Sequence, residues 1–129
     1  MQQQLVQDEA TAATLETIKR FNEAFNRHDV DGIMELMTED CVFENGMPAP
    51  DGQRLEGQAA VRGAWEQLFS TFHNAVFEEE ELFAAADRSI SRWTFRWEDK
   101  DGNPGHLRGV DIFQVRDGKV AVKLAYVKG

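Results

Sequence analysis

The residue with the most chemical promise in this chain is an aspartate set among apolar neighbours. In Gly109-Val110-Asp111-Ile112-Phe113-Gln114-Val115, strand alternation puts Asp111 on one face with Leu107, Phe113 and Val115. A carboxyl enclosed by such side chains has its proton affinity raised unless a cation pairs with it, which suits general acid–base work. Alternation alone leaves the opposite arrangement open, with Val110 and Ile112 in the core and Asp111 in water. Asn45 is a second candidate. It follows a short apolar run and opens a loop rich in Gly and Pro, where an amide can serve a ligand or simply make a turn. A third signal is aromatic: Trp93, Phe95 and Trp97 alternate with Arg92, Thr94 and Arg96, giving one aromatic and one polar face. Such a face is core, or the lining of a pocket for a flat or apolar ligand.

Other reactive groups carry less. His28 closes a helix, where a cation suits the helix dipole. His73 and His106 complete a set of three with no metal-ligand spacing, so no metal is expected. His106 has the opposite parity to Asp111 and should not share its face. The run Glu78-Glu79-Glu80-Glu81 reads as a solvated strand or edge with gatekeeping charges. One cysteine, Cys41, excludes a disulfide within the chain. No GxGxxG, Walker or GxSxG pattern occurs, so no nucleotide or other cofactor is expected.

The elements that must hold these groups follow from periodicity. Leu15, Ile18, Phe21 and Phe25 form one helical stripe that ends near Asn26–Asp29. A short second helix with Ile33, Leu36 and Met37 on one face ends at Thr38-Glu39-Asp40, and Cys41-Val42-Phe43 is a short strand. Residues 45–57 are a long loop. A third helix, Gln58 to Phe72, buries Val61, Trp65, Leu68 and Phe72. The remainder is strand, including residues 76–88 despite their Glu and Ala content, with turns at residues 99–105 and at Arg116-Asp117-Gly118-Lys119. This predicts a single α+β domain: three helices close one face of a strongly curved antiparallel sheet and make a cone with an internal pocket. Residues 1–9 are read as a frayed lead-in.

Composition narrows the function. The chain has 129 residues and a net charge of −9, the wrong sign for a nucleic-acid or anionic-membrane partner. No apolar run approaches the roughly 20 residues of a membrane span, and the first residues lack the basic and apolar segments of a secretory signal. A cytoplasmic protein is the expectation.

The helix ending FNRHDVDGIMELMTEDCVFEN, the segment GQAAVRGAWEQLF, the strand RGVDIFQV and the turn RDGK together resemble the nuclear-transport-factor-2-like superfamily in its SnoaL-like branch, over about residues 12–128. The resemblance implies a cone whose pocket Asp111 faces. It implies a small hydrophobic ligand lined by Phe21, Phe25, Phe43, Trp65, Trp93, Phe95, Trp97, Phe113 and Lys123, and a homodimer packed through the outer sheet face. It also implies which chemistries are missing. Ketosteroid isomerases use an Asp base and a Tyr donor; those positions fall here on Asn45 and Phe21. Limonene epoxide hydrolases match at Asn45, but their neighbouring Tyr is Phe43, their Arg and Asp fall near Trp93 and Phe95, and a further Asp falls at Ala125. What remains is a cofactor-free isomerase or cyclase. In it Asp111 moves a proton α to a carbonyl while Asn45, with a backbone group or water, holds the oxygen. The alternative is a non-catalytic ligand-binding or dimerisation domain.

Two geometric expectations complete the reading. In the last strand, Ala121, Lys123, Ala125 and Val127 line the cone, and Val120, Val122, Leu124 and Tyr126 lie outside beside Val110 and Ile112. A three-residue Arg-Asp-Gly loop would pair Val115 with Lys119 and set Asp111 opposite Lys123; a two-residue Asp-Gly loop would set Leu124 there. The first register is expected, because it sets the buried carboxyl opposite a cation, and the ammonium then holds Asp111 ionised against the upward pull of burial, as a base or ligand anchor at neutral pH.

Overall fold

A computed structural model describes residues 8–128, so most of the expected frayed lead-in lies outside the described residues. Asp8 and Glu9 are not frayed. Asp8 caps helix α1 (Glu9–Asn26) by accepting a hydrogen bond from the Thr11 backbone N–H at 2.7 Å, and Glu9 places a negative charge in the first turn. The buried stripe of α1 runs Thr11, Thr14, Ile18, Phe21, Phe25. Its first turns are threonines rather than the expected Leu15, because their hydroxyls bond the turn at Ala86: Thr14 donates to Ala86 O at 2.7 Å and Thr11 accepts from Ala86 N at 2.8 Å. His28, in the left-handed region at φ 58°, ends this segment, and its Nε2 lies 2.6 Å from Ala75 O. Its role is structural.

Helix α2 (Val30–Glu35) is capped by Asp29, which accepts from Gly32 N at 2.9 Å. It is shorter than expected. Leu36 and Met37 leave the helix, and strand β1 (Met37–Glu44) starts at Met37 rather than Cys41. Near its start β1 is irregular, and there the Gln58 side-chain amide donates to Met37 O at 3.1 Å and Thr38 O at 3.0 Å. The amide thus gives backbone carbonyls in this irregular stretch a hydrogen-bond donor. The loop expected at residues 45–57 contains a short strand, β2 (Arg54–Glu56), antiparallel to β1. Helix α3 is Gln58–Thr71, followed by β3 (His73–Ala85), β4 (Arg88–Glu98), β5 (Pro104–Arg116) and β6 (Lys119–Val127).

The six strands form one sheet in the order β2-β1-β6-β5-β4-β3. It is mixed, not antiparallel throughout: β6 returns beside β1 and runs parallel to it. Helix α1 packs on β3 and β4, and α3 on β1. Ile18, Phe21, Phe25, Ile33, Met37, Val61, Trp65, Phe113 and Val120 are fully buried among these elements. Among the described residues no helix is long and apolar enough to cross a membrane.

Two bulges set which side chains face in. At Glu80 the β3–β4 register shifts from Glu79 opposite Trp93 to Glu81 opposite Arg92. Phe83 is thereby turned to the outer face, in one row with Ile90, Ile112 and Leu124. The second bulge corrects the register expected for the last hairpin. The turn has two residues, Asp117 and Gly118, both at positive φ as a mirror-image hairpin turn requires, and Arg116 pairs with Lys119. Ala121 is then the extra residue, since Val115 pairs with Val120 and Gln114 with Val122. Asp111 comes to lie opposite Ala125, and Lys123 opposite Phe113. Around the bulge Val120 and Ala121 are both buried, so Val120 belongs to the core and not to the outer face.

Gly109 is required by close approach. A Cβ there would stand 2.5 Å from Tyr126 O and 2.6 Å from the Trp93 ring. Gly109→Ala is expected to lose about 1–3 kcal/mol to overpacking and to change Trp93 fluorescence. Urea unfolding checks it, and a loss below about 0.5 kcal/mol would place Gly109 in an ordinary surface class.

Candidate functional site

Between α3, the β1–β2 loop and the inner face of the sheet lies a cavity of about 550 Å³. Its space comes from small residues on α3: Ala60, Gly63 and Ala64 stand where longer side chains would fill it. The walls are otherwise apolar. Phe43 and Trp65 stack at one side, with centroids 4.6 Å apart, and Phe77, Trp93 and Phe95 form the other. Among the lining residues Lys123 is the one with a titratable side chain.

Lys123 is buried, with 2% of its surface exposed, and so is Asp111. Their contact is a diagonal one across the β5–β6 ladder, Nζ to Oδ2 at 3.1 Å. The ammonium also lies over four aromatic rings, at 4.8 Å from the Phe43 centroid, 5.6 Å from Trp65, 5.7 Å from Phe77 and 5.8 Å from Phe113. The negative faces of those rings attract a cation at Nζ. Burial pushes the Asp111 carboxyl above its ordinary value, opposed by the charge of Lys123 and by the indole N–H of Trp93, which faces it without completing a hydrogen bond of ordinary geometry. The expectation that the ammonium outweighs burial is therefore corrected: the net direction is upward. Among the described residues Oδ1 of Asp111 has no hydrogen-bond partner.

The residues singled out from sequence divide into three groups. Phe43, Asn45, Trp65, Trp93, Phe95 and Lys123 meet at the cavity. Phe21, Phe25 and Phe113 lie one layer deeper in the core and do not line it: Phe21 and Phe25 meet Trp65 edge-on at 6.1 and 5.9 Å, and Phe21 meets Phe113 at 5.6 Å. Trp97 also stays off the wall, packed against Phe72 at 4.9 Å. Asp111 sits behind Lys123 rather than on the cavity surface. Asn45 reaches the cavity, but its side-chain oxygen accepts from Gln53 N at 2.8 Å while its backbone N–H donates to Gln53 O at 3.0 Å, so this oxygen closes the loop. Sequence reasoning missed Phe77, which lies between two register shifts of β3, at residues 73–76 and 79–81, that no pattern marks. His106 is exposed, and no cluster of metal-ligating side chains occurs among the described residues.

The model of the SnoaL-like domain matches residues 18–123. The chain belongs to this family, on the NTF2-like fold. An NTF2-like protein of unknown function from Mesorhizobium loti is 38% identical, with 96% of this chain and 98% of that one covered and a TM-score of 0.81. Two more distant structures share the fold. An LEH-like epoxide hydrolase from M. tuberculosis is 17% identical over 92% of this chain and 84% of that one, with a TM-score of 0.75. TerC, co-crystallised with polyporic acid, is 19% identical over 90% and 92%, with a TM-score of 0.77. Among curated proteins none matches the chain in sequence.

Removing the cation should expose the cost of the buried carboxyl. Lys123→Met is expected to destabilise the fold by about 3–5 kcal/mol at neutral pH, because an unpaired buried charge remains. It should also raise the Asp111 pKa further, read by carbon-detected NMR. A carboxyl whose folded pKa exceeds its unfolded value of about 3.8 contributes its full stability below that value and loses it as pH rises through the folded pKa. The defect should therefore shrink on acidification, and Asp111→Asn in the same chain should recover most of it. An unchanged Asp111 titration would show that the two groups do not interact.

Proposed function

We propose that this protein binds a small, mainly apolar carbonyl compound in the 550 Å³ cavity, with the carbonyl oxygen on Lys123, and acts on it as a cofactor-free isomerase or cyclase. The observation that supports this reading is the lining itself: an aromatic cavity whose titratable group is one ammonium, backed by a buried carboxylate. In such a place a hydrogen bond from Nζ strengthens as negative charge develops on the oxygen, which is the condition for stabilising an enolate. Asp111 is off the wall, so its acid–base part is played through Lys123. Asn45 contributes by holding the loop at the cavity mouth, where Met47 is exposed, and its amide oxygen is not free to serve the ligand. That the similarly folded TerC was co-crystallised with polyporic acid supports a small-molecule ligand in this fold.

One observation favours the alternative of a non-catalytic binder: among the described residues, none that lines the cavity carries a carboxylate or imidazole to take a carbon-bound proton directly. A single assay separates the two. Acetylnaphthalene should bind about tenfold or more tightly than ethylnaphthalene, the difference a hydrogen bond to a charged donor supplies, and Lys123→Met should erase that preference. With acetylnaphthalene deuterated on its methyl group, an enzyme exchanges the label for solvent hydrogen faster than buffer does; a pure binder does not. Equal affinity for ketone and hydrocarbon would overturn both. Steroid isomerisation is expected to be absent, since Phe21 is buried without a donor and Asn45 is bound to its loop.

The same reading includes a homodimer. Phe83 and Tyr126 are 51% and 58% exposed, and Ile90, Val110, Ile112 and Leu124 lie between them on the outer sheet face, a continuous apolar surface of the kind that interfaces cover. Light scattering at micromolar concentration should give twice the chain mass, and Ile112→Glu should give one chain mass.

A further inference from the structure

We propose that the Asp111–Lys123 pair is a proton relay through the wall between two cavities, with Lys123 serving the apolar cavity and Asp111 serving a separate polar recess on the α1–β3 side. The recess has a volume of about 410 Å³ and is lined by Lys19, Asn22, Asn26, Glu79 and Ser91 together with Asp111. Phe77 and Trp93 line both spaces. Their rings meet edge-on at 4.9 Å and form the partition. Lys123 borders the cavity and not the recess; Asp111 borders the recess and not the cavity, each side chain only 3% exposed. The pair thus crosses the partition, joined by the 3.1 Å contact of Nζ and Oδ2. The second carboxyl oxygen, Oδ1, has no partner among the described residues, and Ser91 stands opposite Asp111 in the strand register.

The remaining charged groups facing the recess are Lys19 and Glu23 of α1 and Glu79 of β3, with Lys123 behind Asp111. Asn22 donates to Glu79 at 3.2 Å and links the two elements there. When the relay fires, a proton on Nζ passes to the ligand oxygen. A hydronium ion in the recess gives a proton to Oδ1 of the Asp111 carboxylate and leaves as water; the carboxyl turns, and that proton passes to Nζ and restores the ion pair. One proton crosses the wall, and no solvent enters the apolar cavity. Removal of a ligand proton runs the same steps backwards. The raised proton affinity that burial confers on Asp111 allows it to carry the proton between the two sides.

This inference rests on Lys123 as the ligand-facing group, yet its test uses no ligand, so it can fail while the binding assay succeeds. The measurement is hydrogen exchange of the Lys123 side-chain amine in the full chain, by nitrogen-edited NMR with labelled lysine. Asn22→Phe, from a half-buried helix position, and independently Glu79→Phe, from an exposed strand position, narrow the recess. Gly63→Phe narrows the cavity mouth, at a site where an added Cβ meets nothing within 4 Å. The recess variants should slow exchange by about tenfold, and the cavity variant should leave it unchanged. Slowing by Gly63→Phe instead, or by neither kind of variant, would overturn the relay. If one recess variant fails to fold, the other carries the same comparison.

Discussion

The structure depends on one ammonium held where water is excluded. Lys123 sits over four aromatic faces and against one carboxyl, and each surrounding element contributes to that arrangement. Strand β1 supplies Phe43, α3 supplies Trp65, β3 supplies Phe77, and β5 supplies Phe113 and Asp111. Exchanging such an ion pair for apolar residues often leaves a fold equally stable or more so, whereas removing one partner alone is costly. The aromatic shell is therefore both core and cavity wall, and the layer behind it, Phe21 and Phe25, packs edge-on against Trp65.

Backbone irregularity positions the pair. A two-residue Asp-Gly turn by itself would put Leu124 opposite Asp111, with Lys123 on neither the right face nor the right row. The bulge at Ala121 moves the partner to Ala125 and brings Lys123 onto the inner face, diagonal to the carboxyl. On the other side of the sheet the Glu80 bulge lets both Glu80 and Glu81 reach Arg92, and Glu80 reach Arg108, at the outer surface, while Glu79 turns toward α1.

Much of this was legible in the sequence. The stripe of Ile18, Phe21 and Phe25 located α1, the alternation around Trp93 gave the inner face of β4, and the odd polar residue in GVDIF marked the buried carboxyl. The meeting of Asp111 with Lys123 was also anticipated, though through a register that does not occur. What stayed hidden shares a physical cause. A bulge is one extra residue with no compositional mark, so neither the parity switch at Glu80 nor the one at Ala121 could be read. Periodicity gives a face but not a depth, so Phe21, Phe25 and Phe113 could not be told from the wall residues Phe43 and Trp65. Side chains that satisfy backbone groups far away in sequence, such as Gln58 at the carbonyls of Met37 and Thr38, need three dimensions to be seen.

The small residues on α3 have a consequence for how this protein can diversify. Ala60, Gly63 and Ala64 make the cavity by omission, and they lie on a helix whose anchoring falls to Val61 and Trp65. Shape selectivity and foldability are therefore written on different positions of the same fourteen-residue helix. Descendants of this chain can trade methyl groups for bulk along one side and narrow or shorten the cavity. The charged pair at the base and the sheet that carries it stay as they are through such changes.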